Sequence, residues 1–107
     1  MTIVYDLYGA EKSCLLSARS ELERALGETF EERDSSYQGG IYYMWGRSDS
    51  ENFVFKLNID PFDGDPVEQD YASYKVLLYV NATNRSSDIE KLISQVSVFK
   101  LLRHEVL

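Results

Sequence analysis

The sequence predicts an α+β fold with an N-terminal helix, a four-stranded and mainly antiparallel sheet, and a C-terminal helix packed on one face of that sheet. Two observations carry this: apolar residues recur at helical spacing near both ends, while the middle alternates β-branched and aromatic residues between Gly, Asn, Asp and Ser clusters. The chain has no repeat, linker or low-complexity tract, and its 107 residues, 44% apolar and 13% aromatic, suit a single domain over 1–107 with its own core.

Between residues 10 and 26 the positions Cys14, Leu15, Ala18, Leu22, Ala25 and Leu26 form an apolar stripe, with Lys12, Arg19, Glu21, Glu23 and Arg24 between them. Gly27 follows, where a left-handed residue closes a helix. Cys14 lies on the stripe and is expected in the core; as the only cysteine it has no internal disulfide partner.

Strands are expected at 29–34, 41–46, 52–59 and 72–80. In the third, Phe53, Phe55, Leu57 and Ile59 share one face, and Val54, Lys56 and Asn58 share the wetter one. The fourth sets Tyr74, Val76, Leu78 and Val80 against Lys75, Leu77 and Tyr79. Short segments at 38–40 and 47–51 suit hairpins. Ser87 followed by Glu90 reads as a capping box, and Ile89, Leu92, Ile93, Val96 and Phe99 continue at helical spacing. Residues 100–107 fit either an extension of that helix or a short last strand.

The formal charge of −7 disfavours direct association with nucleic acid and anionic lipid. No apolar run reaches the length of a membrane span and the opening residues lack a leader pattern, so a cytoplasmic location is expected. The two Asn-x-Ser/Thr matches at Asn81 and Asn84 carry no weight in that setting. Between residues 49 and 70, seven carboxylates (Asp49, Glu51, Asp60, Asp63, Asp65, Glu68 and Asp70) face Lys56 alone.

Motifs for chemistry are missing. His104 is the only histidine and has no neighbouring nucleophile in sequence, and the glycines spell neither a dinucleotide fingerprint, a phosphate loop nor a nucleophile elbow. No catalytic residue and no cofactor is expected. Asn58, Asp60, Asp63 and Asp65 offer oxygen ligands suited to calcium, yet their spacing fails the twelve-residue calcium loop, so no metal is assigned. The same loop is long for a hairpin connection and stiffened by Pro61 and Pro66. Together with Tyr37, Tyr43 and Trp45, its residues Asp60, Asp63, Asp65, Glu68 and Asp70 form the expected partner-binding set, with rings supplying contact area and carboxylates supplying steering.

The run Glu32-Arg33-Asp34-Ser35-Ser36-Tyr37, then Gly39-Gly40, Tyr42-Tyr43, and Leu57-Asn58 with Asp60, are followed by Val76-Leu77-Leu78-Tyr79-Val80-Asn81 and Leu101-Leu102-Arg103. Across about residues 30 to 105 this resembles small bacterial immunity proteins that accompany secreted toxins, such as those of contact-dependent growth inhibition systems. The resemblance implies a cytoplasmic inhibitor that binds one cognate protein toxin, often a nuclease. A nuclease that holds phosphates is basic, and an acidic protein matches it. The alternatives are a structural or adaptor domain, homodimeric through an open sheet edge, and a small enzyme using Glu32, Asp34 or Asp60. Oligomeric state is left open by the sequence.

Overall fold

A computed structural model of the chain describes residues 2–11, 15–35, 40–60, 62–96 and 98–107. Six strands, β1 (Val4–Ala10), β2 (Glu31–Ser35), β3 (Gly40–Gly46), β4 (Asn52–Leu57), β5 (Val76–Thr83) and β6 (Lys100–Val106), join in one sheet in the order β2-β3-β4-β5-β1-β6. Every pairing is antiparallel. Helix α1 (Leu15–Leu26) follows β1, and α2 (Ser86–Ile93) follows β5. The α+β class is as predicted, whereas the sheet has two strands more than the four expected, one at each end of the chain. Ala10 closes β1 instead of opening the helix, and the C-terminal residues are a strand. Cys14, Tyr37 and Pro61 lie outside the described residues.

Alternation along each strand sorts the residues into two faces. Ala18, Leu22 and Leu26 of α1 and Ile89 and Ile93 of α2 cover Tyr8, Tyr43, Phe53, Phe55, Val76, Leu78 and Val80 in one apolar cluster. Phe55 sits at its middle: Tyr43 is its cross-strand partner with ring centroids 6.0 Å apart, and Phe30 and Phe99 lie at 6.3 and 6.1 Å. Helix α1 is anchored to this layer by polar contacts too. Glu23 accepts the Phe30 N–H at 2.7 Å, and the Arg19 guanidinium lies 4.7 Å from the Tyr43 ring centroid.

Helix α2 ends at Ile93, not at Phe99. Beyond it Val96 and Phe99 still reach the core, carried by turns in which Val96 N–H donates to Ile93 O and Phe99 N–H to Val96 O. A three-residue stride places side chains much as a helix does. The expected Ser87–Glu90 box is also absent: Arg85 is the N-cap and no side chain caps the helix. Thr83 Oγ1 instead accepts the Arg85 N–H at 3.1 Å, and the Ser86 hydroxyl turns to Asp6.

The second face carries Tyr5, Leu7, Tyr42, Met44, Val54, Lys56, Leu77 and Tyr79. Neither α1 nor α2 packs on it, yet Leu77 and Lys56 are buried. The covering is the connection between β4 and β5, residues 58–75, which folds back over that end of the sheet.

Candidate functional site

The β4–β5 connection is organised from Asn58, which follows β4 and is buried. Its amide nitrogen donates to the carbonyls of Tyr71 (3.1 Å) and Tyr74 (2.9 Å), and its amide oxygen accepts the Glu68 N–H at 2.9 Å. One side chain thus satisfies three backbone groups of a segment that has no ladder of its own. A 3-10 turn over Gln69–Tyr71 then brings the Tyr71 hydroxyl to Leu102 O, 2.9 Å away on β6.

Glu68 closes the arrangement from beneath. Its carboxylate accepts the Tyr79 hydroxyl at 2.6 Å and Arg103 Nη1 at 2.9 Å. Burial works against the charge on Glu68, but the hydrogen bonds from Arg103 and Tyr79 outweigh it and hold the carboxyl below its ordinary range. Tyr79 is pushed up by burial and by Glu68. Burial also pushes the Lys56 ammonium down, against the pull of Glu68 and Asp60.

At the tip the carboxylates shape the backbone. Asp60 Oδ1 accepts the Phe62 N–H at 2.8 Å, and Asp63 Oδ1 accepts the Asp65 N–H at 2.9 Å, two Asx turns in succession. Backbone bonds from Asp60 N to Asp65 O and from Gly64 N to Asp60 O close the turn, and Gly64 supplies the left-handed residue with φ +78°. Around this turn Phe62 is 78% exposed, with Ile59 and Val67 also exposed. Asp63, Asp65 and Asp70 point into solvent, and Asp60 is partly covered.

The structure therefore divides the expected partner-binding set. Asp60, Asp63 and Asp65 stand together at the tip, and Asp70 lies on the exposed 3-10 turn. Glu68 faces inward and holds the loop. Tyr43 is buried under α1, donating its hydroxyl to Glu32 at 3.3 Å, and Trp45 stacks on Phe53 at 4.7 Å in the helix-covered layer. On the same strand Ile41 is exposed, and Tyr42 and Met44, on the other face, are half-buried. Phe62, which the expected set did not include, is the exposed ring at this tip. Its signal was an aromatic residue between a proline and an acidic turn, where no core is near in sequence.

Of the calcium candidates, the Asn58 oxygen is committed to Glu68 N–H, and among the described residues no group of three or more His, Cys, Asp or Glu is placed to hold a metal. Glu32 and Asp34 lie on edge strand β2, away from the connection that bears Asp60. A groove of about 740 Å³ on the uncovered part of the second face is lined by Arg33, Tyr42, Met44, Arg47, Val54 and Asn81 among others, with no carboxylate or imidazole.

His104 has a partner after all. Its Nδ1 lies 2.6 Å from Asp6 Oδ1, and the Ser86 hydroxyl donates to Asp6 Oδ2 at 2.5 Å. The order is serine, carboxylate, histidine, so the imidazole does not contact the hydroxyl as a base activating a nucleophile must. The cluster instead ties β1, β6 and α2 together.

No helix among the described residues is long and apolar enough to cross a membrane. A scan against protein-family models finds no match for this sequence, and a comparison with curated proteins finds none either.

Proposed function

We propose that the chain is a noncatalytic immunity protein that binds a cognate basic, nuclease-type toxin and blocks it, using the tip of the β4–β5 connection. The observation that carries this reading is an exposed Phe62 flanked by Asp60, Asp63 and Asp65 on a backbone already folded by Asn58. An apolar anchor ringed by charge is the arrangement that gives a protein contact both affinity and steering. A prefolded loop also loses little conformational freedom on docking.

The test begins with capture of the partner by the tagged chain in the source cells at low and moderate salt. The captured protein is then expressed alone and with this chain. A basic protein that is toxic alone and harmless in the pair is the expected outcome. Titration of that complex by calorimetry should show D63K/D65K and F62A each binding at least about tenfold more weakly, with the charge variant losing salt sensitivity. Unchanged affinity in both variants would sink the loop-tip reading.

A further inference from the structure

We propose that the outer edge of β6 pairs with the same edge of a second copy of this chain, continuing the sheet across a two-fold axis. β6 ends the strand order, with β1 on its inner side. Leu107 N–H donates inward to Ile3 O at 2.9 Å, and Glu105 stands opposite Tyr5. The alternating polarity of an antiparallel strand then turns the backbone groups of His104 and Val106 outward, where a further strand can take them.

The two edges of the sheet differ in a way that selects this one. β2 presents Glu31, Glu32, Arg33 and Asp34, a charged edge that resists pairing. On β6 and just after it, Leu101, Val106 and Leu107 are all exposed. An antiparallel pair centred on His104 sets Arg103 beside Glu105 of the second copy, and Glu105 beside Arg103 of the second copy. The register shift between Leu7 and Tyr8 makes Leu102 the extra residue of a bulge, so Leu101 is the residue that comes beside Val106 of the second copy. Centring on Arg103 would instead put the two arginines face to face. Charge and apolar complementarity thus agree on one register, and neither uses the acidic tip.

Analytical ultracentrifugation from micromolar to millimolar protein is the experiment. The wild type is expected to rise from 12.3 kDa toward twice that mass. E105R and R103E each bring like charges together twice, and each should dimerise about tenfold or more weakly. An equimolar mixture of the two restores both attractive pairs and should recover the dimer. V106D gives an independent loss that leaves Arg103 on Glu68, with circular dichroism confirming the fold of each variant. A wild type that stays monomeric overturns the proposal. So does dimerisation unaffected in E105R and V106D, or a mixture that associates no better than its components.

Discussion

One face of the sheet is covered by helices and one end of the other face by a loop, and the two covers are held by opposite means. On the helix side, Ala18, Leu22, Ile89 and Ile93 bury Phe53, Phe55 and Leu78 by apolar packing that is spread over many residues. On the loop side the cover is held by a few directional bonds from Asn58, Glu68 and Tyr71. Distributed packing resists single losses in proportion to volume, whereas a hydrogen-bonded cover depends on each of its few posts. The fold therefore resides in one layer and the shape of the proposed binding loop in the other.

This contrast sets the expected size of substitutions. Phe55→Ala removes the ring at the centre of the aromatic cluster and should cost about 3–5 kcal/mol of global stability, read by urea denaturation. Asn58→Ala should cost about 2–3 kcal/mol by orphaning two carbonyls and one N–H, but confined to residues 59–75. Hydrogen exchange separates the cases: fast exchange in the loop with a protected core is expected, and uniform loss of protection would erase the distinction between the layers.

The pH response tests the polar layer further. Arg85 hydrogen bonds hold Glu51 below the ordinary carboxylate range, and Arg103 and Tyr79 do so for Glu68 against its burial. Both groups bind protons more weakly folded than unfolded, so their contribution is complete above their unfolded values and is lost as pH falls through the folded ones, below about pH 4. Denaturation at pH 7 and pH 3 should show a shallower acid loss in E51Q/E68Q than in the wild type. The smallest effect belongs to the tip: D63N should change stability by less than about 1 kcal/mol because its only described bond is an exposed turn contact.

Legibility in the sequence followed the same division. The helix-facing residues Phe53, Phe55, Val76 and Leu78 of β4 and β5 were legible from alternation. The opposite face, expected to be wetter, buries Lys56, Asn58 and Leu77, and on β3 Tyr43 and Trp45 turned out to belong to the helix-covered layer. β1 escaped because it lies between two strands and is buried on both sides, so Asp6, Leu7, Tyr8, Gly9 and Ala10 show no alternation. β6 stayed undecided between helix and strand because the bulge at Leu102 breaks its period. The turns after Ile93 imitated helix spacing through Val96 and Phe99. At the site, the acidic tip was visible as composition, while the inward roles of Glu68 and Asn58 depend on Tyr71, Tyr79 and Arg103, partners distant in sequence. The Asp6–His104 contact joins opposite ends of the chain and leaves no local pattern.

The interior position of β1 has a consequence for synthesis. Its neighbours β5 and β6 come after β2, β3 and β4 in the sequence, so β1 has no partner until those three strands have been made. The middle strands β2 to β4 can form hairpins as they emerge, while Val4, Leu7 and Tyr8 wait exposed in an unpaired apolar segment. For the proposed inhibitor, the time to protection then depends on closure of β1 between its two late partners.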